Sequence, residues 1–336
     1  ASYAMAHLQL ELLLTETGCR FSSNERFRIF LTNSLEEYHP ETGQLFTNYI
    51  SEEANEANQI KRDTPVMCVI GNPPYSGESV NKGEWIMSLM DDYKKEPGGK
   101  EKLKERNPKW INDDYVKFLR YGQYFIEKNG EGVLAYINPH GFLDNPTFRG
   151  MRWHLLNTYD KIYVIDLHGN SKKEETAPDG SADQNVFDIQ QGVSINFFIK
   201  TGNKKKGELA QVFHHDLYGK REVKYNYLQD NTISQVPFEK LPNIAPMYFM
   251  VKKDFALQHA YDQGFKINEL FELNGVGVVT SRDSFVIDVD RSLLEKRLKY
   301  FYVSTKEELA NKYGLKENKS WKIQAVQKAT EVYDTT

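Results

Sequence analysis

The sequence predicts an α/β protein whose largely parallel sheet is covered by helices on both faces. Three observations lead there. Short apolar runs rich in Val, Ile and Phe recur at residues 66–70, 133–137, 161–166 and 193–199. Segments with apolar residues three and four positions apart lie among them, at residues 3–17, 114–128 and 151–158. Gly18, Gly71 and Gly130 stand at junctions between such segments, as expected where one backbone geometry gives way to another.

Taken in order, residues 3–17 read as a helix with Ala4, Met5, Leu8 and Leu12 on one side and Gly18 as its stop. Residues 27–31 read as a strand, and residues 66–70 as a second one ending at Gly71. Residues 114–128 place Val116, Phe118, Leu119, Phe125 and Ile126 at helical spacing. Gly130 then precedes a strand at 133–137. A helix at 151–158 and strands at 161–166 and 193–199 complete the pattern. Ligands in sheets of this kind bind at the carboxyl ends of strands, which is where Asn72 falls.

Composition frames the function. The chain has 336 residues, 40% hydrophobic and 13% aromatic, enough for a sizeable core in one large domain or two. The Leu-rich start is interrupted by His7, Gln9, Glu11 and Glu16, and no run of about 18 apolar residues occurs, so neither a membrane span nor a signal peptide is expected and the location expected is cytoplasmic. Cys19 and Cys68 give no zinc spacing and no disulfide framework, and Cys68 reads as a small buried residue within its strand. A net charge of −4 argues against a generally basic coat for nucleic acid. Any phosphate contact is therefore local, with Lys100, Lys102, Lys104, Arg106 and Lys109 as the first candidates and the cluster Lys204, Lys205 and Lys206 as the second, each weighed against a solvated surface run.

The most informative residues are Asn72, Pro73, Pro74 and Tyr75, directly after Gly71. From average usage, with Pro near 5%, these four in this order arise by chance in a chain of this size roughly once in a thousand. The arrangement resembles the loop of S-adenosylmethionine enzymes that methylate an amino or amide nitrogen. An amino group conjugated to a ring is a poor nucleophile until its lone pair is drawn back from the ring. The side-chain oxygen of Asn72 and the backbone carbonyl of Pro73 could each accept one of its N–H bonds, an interaction that sharpens as positive charge develops on nitrogen. Proline fixes its own φ and restricts the residue before it, so Pro73 and Pro74 preorganise those acceptors. Tyr75 offers a face on which a base swung out of its duplex can stack. Adenine, cytosine and a glutamine amide all present the same NH2, so these residues alone leave the substrate open. A proline-rich turn with Tyr75 merely packed against it is the competing reading.

Further segments widen the resemblance. Residues 3–8 (Tyr-Ala-Met-Ala-His-Leu), 31–36 (Leu-Thr-Asn-Ser-Leu-Glu), the Asn72 loop, 148–152 (Phe-Arg-Gly-Met-Arg), 166–170 (Asp-Leu-His-Gly-Asn) and 185–189 (Asn-Val-Phe-Asp-Ile) resemble, in that order, the amino-methyltransferase region of type ISP single-chain restriction-modification enzymes, often described as helicase-like. The resemblance runs over residues 1 to about 200 and less firmly to 290. It implies a Rossmann-like S-adenosylmethionine-dependent methyltransferase sheet, incomplete, with a C-terminal extension. It implies N6-adenine methylation of double-stranded DNA, with Asn72, Pro73, Pro74 and Tyr75 as the catalytic loop and Phe187 as a second stacking aromatic, against a core phenylalanine as the plain reading. Asn33 and Ser34 would border the cofactor's adenine together with Asn72. An amide at Asn33 stands where the family usually has Asp, and a strand-to-helix turn explains the pair equally well. His140 reads as a loop residue. The resemblance implies a domain at 1–205 lacking its first strands, a connector at 206–270 and the start of a target-recognition domain at 271–336, with Thr280, Arg282 and Asp283 marking the approach to it. The run Gly275-Val276-Gly277-Val278-Val279 lacks a third glycine and is not a dinucleotide loop. Upstream nuclease and helicase domains are implied as partners within the same polypeptide. With the family's Gly-rich cofactor loop falling before the Tyr3 helix, the sheet is expected to expose an edge, and the chain alone to bind cofactor weakly or not at all and to be inactive by itself. A protein-glutamine or RNA methyltransferase, and a non-catalytic DNA-recognition module, stand as alternatives.

Overall fold

The computed structural model describes residues 2–19, 27–37, 48–77, 79–105, 108–205, 207–271, 282–318 and 321–329. It divides into two compact units, Ala1–Asp254 and Phe255–Thr336. The first unit is built on one six-stranded sheet: β1 (Cys68–Gly71), β2 (Gly132–Pro139), β3 (Lys161–Asp166), β4 (Val193–Lys200), β5 (Gln211–Asp216) and β6 (Glu239–Leu241). Their spatial order is β1-β2-β4-β3-β5-β6. The sheet is mixed, not largely parallel: β1 with β2 and β3 with β5 run parallel, whereas β2 with β4, β4 with β3 and β5 with β6 run antiparallel. The connection from β3 to β4 carries no α-helix. Without a crossover helix the chain returns alongside itself, and β4 enters antiparallel between β2 and β3.

Among the described residues six α-helices belong to this unit: α1 (Ser2–Glu16), α2 (Asn48–Asp63), α3 (Glu84–Met90), α4 (Asp114–Asn129), α5 (Arg149–Thr158) and α6 (Arg221–Asp230). Helix α4 starts at Asp113, whose carboxylate accepts from the Tyr115 N–H, and stops at Gly130, which sits at φ 92°. Val116, Leu119 and Ile126 share its buried face and pack with Leu134 and Tyr136 of β2 and with Ile86 and Met90 of α3. The same cluster takes in Leu155 and Leu156 of α5, Ile162 and Val164 of β3 and Phe198 of β4. Each such aliphatic side chain contributes about 1.5–3 kcal/mol through burial. A second cluster gathers Ile165, Leu167, Val186, Val193, Leu217 and Val236, with Tyr227 and Leu228 of α6 packed against it.

Residues 27–31 are not a strand. The Ile29 N–H donates to the Phe27 carbonyl in a tight local turn, which removes it from any ladder. Strand β1 begins two residues later than the apolar run suggests, and Cys68 is exposed, not buried. Among the described residues β1 has only β2 as a neighbour, and Ile70 is 79% exposed. The stretch expected as a connector, 206–270, supplies β5, α6 and β6 to the first unit. Among the described residues no helix is long and apolar enough to cross a membrane.

The second unit packs Phe285, Phe301, Leu309, Leu315 and Ile323 into a small core. Its helix Lys306–Tyr313 begins at a reciprocal Thr305–Glu308 cap and ends at Gly314. The Arg282 guanidinium lies 3.5 Å from the Trp321 ring centroid, and Asp283 opens the helix Asp283–Val286. The Gly275–Val279 run and Thr280 lie outside the described residues.

One buried ion pair closes the loops at the carboxyl end of the sheet. Asp183 and Lys224 are 2.7 Å apart with both side chains fully buried. The ammonium also donates to the carbonyls of Leu167 and Gln184, at 2.6 and 2.7 Å. The Asp183 carboxylate accepts from the backbone N–H groups of Gly169 and Gly219, at 2.6 and 2.8 Å. Losing one member of such a pair strands the other charge away from water. Lys224→Met is expected to lower the unfolding free energy by about 3–5 kcal/mol, and a urea transition with an unchanged midpoint would contradict this.

Candidate active site

The loop after β1 is held at its two ends. Its first residue, Asn72, is exposed, Pro73 is buried, Pro74 is exposed and Tyr75 is half-buried. The Tyr75 hydroxyl lies 2.6 Å from Asn72 Oδ1 and 3.1 Å from the Ile137 carbonyl of β2. The phenol thus links the loop's tip to the neighbouring strand. Burial pushes its pKa up to about 12, so it acts as a neutral donor. An amide oxygen has two lone pairs, so Asn72 can accept from Tyr75 and from a second donor. Behind Tyr75, the Ser76 N–H donates to Asp113 Oδ1 at 3.0 Å. The residue that caps α4 therefore also anchors the loop.

The Asn33 turn is closed by its own side chains and held from two helices. Asn33 Oδ1 accepts from the Leu35 N–H at 3.1 Å and its Nδ2 donates to Glu36 Oε1 at 2.9 Å, while the Ser34 side chain bonds to Tyr121. Lys61, reaching from α2, donates to Thr32 Oγ1 and to the carbonyls of Asn33 and Glu36, at 3.1, 2.7 and 3.1 Å. Burial lowers the pKa of that ammonium. Sequence reasoning missed Lys61, because it lies 28 residues from Asn33 on a helix it did not foresee.

Phe187 is half-buried, and both it and Tyr75 pack against the Ile165–Val193 cluster. Its loop is fixed from below. Asn185 Nδ2 donates to the carbonyls of Gly169 and Gln191, and Arg221 donates to those of Asn185 and Phe187. Gly169, at φ 79°, lies so close to Asn185 that an added Cβ would stand 2.4 Å from its Cα.

Lys100, Lys102 and Lys104 are exposed, with Lys104 2.9 Å from Glu101. Arg106 lies outside the described residues. The acidic neighbours Glu96 and Glu105 are engaged by Arg149, at 2.7 and 2.5 Å. Lys204 is not a free surface cation: its ammonium donates to the carbonyls of Leu156, Asn157 and Tyr159. The segment 148–152 has a matching physical logic. A Cβ at Gly150 would meet the Lys95 carbonyl at 1.9 Å, and the fully buried Arg152 donates to the carbonyls of Phe142, Asn145 and Met247.

His140 lies in the turn that follows β2 and is buried, with Nδ1 2.9 Å from Asp166 Oδ1. His168 Nε2 lies 2.8 Å from Asp216 Oδ1, and its ring stacks on Tyr218 at 3.9 Å between centroids. Burial opposes charge on His168, but Asp216, Glu175 and Asp166 outweigh it and push its pKa up to about 9. Glu175 is desolvated as well, yet His168 and the Asn170 N–H bring it down to about 2. The available signal was that the strands at 133–137 and 161–166 both lead into ionisable residues at the end of the sheet where ligands bind.

A mixed sheet with an Asn-Pro-Pro-Tyr loop at the carboxyl end of β1 defines a methyltransferase-like α/β protein. Residues 3–172 match the Eco57I restriction-modification methylase family, and the chain belongs to it. Residues 269–333 match the Type ISP C-terminal specificity domain. The fold is shared with solved structures. Among them are DrdV in complex with DNA (21% identity, TM-score 0.65), the ATP-dependent Type ISP restriction-modification enzyme LlaBIII bound to DNA (18%, 0.65), and a nuclease-deletion mutant of the Type ISP enzyme LlaGI in complex with a DNA substrate mimic (19%, 0.66). These matches cover 99, 99 and 98% of this chain but 34, 23 and 28% of those chains. A comparison with curated proteins found no match.

Asp113→Ala removes both the α4 cap and the Ser76 anchor. It is expected to cost about 0.5–2 kcal/mol and to speed amide exchange selectively at Ser76. Exchange at Ser76 that is no faster than in the parent chain would show that the loop is held by other contacts.

Proposed function

We propose that this chain carries the catalytic loop of an N6-adenine DNA methyltransferase in a restriction-modification enzyme, and that the target adenine is flipped out of the duplex to reach it. The observation that carries this reading is the Asn72-Pro73-Pro74-Tyr75 loop at the carboxyl end of β1, with its tip tied to β2 through the Tyr75 phenol. Asn72 Oδ1 and the Pro73 carbonyl accept the two N–H bonds of the adenine amino group. They draw the lone pair out of the ring and stabilise the charge that develops on nitrogen. Tyr75 stacks on the extruded base, and Phe187 is the second aromatic candidate beside the same apolar cluster. No base stronger than these acceptors is needed.

S-adenosylmethionine is the proposed methyl donor, and when bound it supplies an electrophilic methyl group. Asn33, Ser34 and Asn72 would hold it. The donor set is compatible: Asn33 is exposed and commits one N–H of its amide to Glu36, which leaves the other for a purine edge. Lys61 holds that turn in shape from behind. Lys100, Lys102 and Lys104 would meet the phosphates of double-stranded DNA, and Arg106 is proposed with them. Nuclease and helicase domains of the same polypeptide are proposed as partners, by analogy with the longer relatives.

The test is methyl transfer from labelled S-adenosylmethionine to mixed-sequence plasmid DNA by the full open reading frame that contains this chain. Label is expected in N6-methyladenine after digestion to nucleosides. Asn72→Ala should lose about 3 kcal/mol of transition-state stabilisation or more, and Tyr75→Ala about 1–3 kcal/mol of base stacking. Label in RNA or in protein glutamine would replace the DNA reading. Cofactor binding without any transfer would favour a recognition module. In the same protein, replacing Lys100, Lys102 and Lys104 with Ala together is expected to reduce the slope of log K against log salt by about 0.9 for each phosphate no longer neutralised. An unaltered slope would remove them from the interface.

A further inference from the structure

A second cluster of chemistry lies beyond the Asn72 loop, in a cavity of about 350 Å3 at the carboxyl ends of β2, β3 and β5. We propose that this cavity is a binding site for one divalent transition-metal ion, held by His140 Nδ1, Asp166, His168 Nδ1 and Glu175, with Asp216 adjoining.

The geometry comes first. His140 Nδ1 is 2.9 Å from Asp166 Oδ1, and His168 Nδ1 is 3.9 Å from that same oxygen and 3.8 Å from Glu175 Oε1. Ligand atoms of His140, His168 and Glu175 all lie within 4.8 Å of one another, and so do those of Asp166, His168 and Asp216. Two ligands about 2.1 Å from one ion stand about 3.0 Å apart at a right angle and about 3.4 Å apart at the tetrahedral angle. The observed separations bracket those values, so shifts of side chains by about 1 Å or less would close the shell.

Charge and unmet hydrogen-bonding capacity point the same way. Four carboxylates, from Asp144, Asp166, Glu175 and Asp216, line this cavity, the first of them 3.3 Å from the Lys253 ammonium. Lys173 and Lys252 also line it, and the Lys252 ammonium is 2.7 Å from Glu239. Among the described residues a buried imidazole nitrogen bordering the cluster, His214 Nε2, has no hydrogen-bond partner. The His214 nitrogen belongs to a side chain 3% exposed and lies 3.8 Å from Asp216 Oδ1, so it is directed at the cluster. Buried polar atoms are rarely left so. Imidazole together with carboxylate suits zinc, manganese or iron(II), whereas magnesium and calcium prefer oxygen alone.

The donors come from separate elements: the end of β2, the end of β3 and the loop that follows it, with Asp216 closing β5. An ion there would pin these strand ends together. His140 also lines the neighbouring cavity of about 330 Å3, which reaches Asp113, the anchor of the loop after Tyr75. The role assigned to the ion is therefore to fix the floor beside the catalytic loop and not to take part in methyl transfer.

The experiment is zinc titration of the whole chain after chelator dialysis, followed by calorimetry, with elemental analysis for stoichiometry and cobalt(II) absorption to report nitrogen and oxygen ligation. One ion per chain is expected, and Glu175→Gln and His168→Gln should each weaken it roughly tenfold or more. Circular dichroism establishes that each variant is folded, and Glu175→Gln together with the cobalt spectrum decides the matter if His168→Gln is not. Failure of the parent chain to bind zinc at micromolar concentration, or equal binding by the folded variants, overturns the proposal. Methyl transfer is not the readout, so the outcome is independent of the catalytic reading.

Discussion

The first unit depends on one antiparallel strand. β4 runs between β2 and β3 and pairs with both, from Gly132↔Lys200 to Pro139↔Val193 on one side and from Lys161↔Ile199 to Asp166↔Ser194 on the other. Without it the sheet would fall into a parallel pair, β1 with β2, and a three-stranded piece, β3-β5-β6, each with a newly opened edge. The same strand sets which residues meet at the carboxyl end. It brings the end of β2, with His140, within reach of the end of β3, with Asp166, although the two residues are separated by 26 positions in sequence.

The Asn72–Tyr75 loop is held by a different principle. β1 is short, exposed and, among the described residues, bordered by one strand, so the ladder alone is a weak platform. Side-chain bonds compensate: the Tyr75 phenol to β2 and the Asp113 carboxylate from the start of α4. Both partners come from elements that are deeply buried in the main cluster, so the loop borrows rigidity from the core and not from its own strand. The Asn33 turn follows the same pattern, with Lys61 reaching across from α2.

What was legible in the sequence follows from how local each signal is. The helix expected at 114–128 spans Asp114–Asn129 and the strand expected at 161–166 spans Lys161–Asp166, because each carries a full apolar face bounded by turn residues. Helix α2 escaped notice because its apolar stripe is thin; of its described side chains only Ala57 and Lys61 are buried. The strand expected at 27–31 failed because apolar composition does not supply a neighbouring ladder. β5 and β6 lie in a stretch whose sequence reads as a connector. At the site, Asn72 to Tyr75 stood out because the motif is four consecutive residues. The partners that hold it, and the His140, Asp166, His168 and Glu175 group, come from distant segments, and no spacing along the chain announces them.

The Asp183–Lys224 pair has a consequence for how this chain can change over generations. Each partner serves backbone groups as well as the other: the lysine satisfies two carbonyls and the aspartate two N–H groups. A swap of charges, with lysine at 183 and aspartate at 224, would keep the attraction but present donors to N–H groups and acceptors to carbonyls. The pair therefore lacks the usual escape by reciprocal replacement. A lineage could leave it only by rebuilding the loops around Gly169 and Gly219 at the same time, and a drift path made of single neutral steps is closed at these two positions.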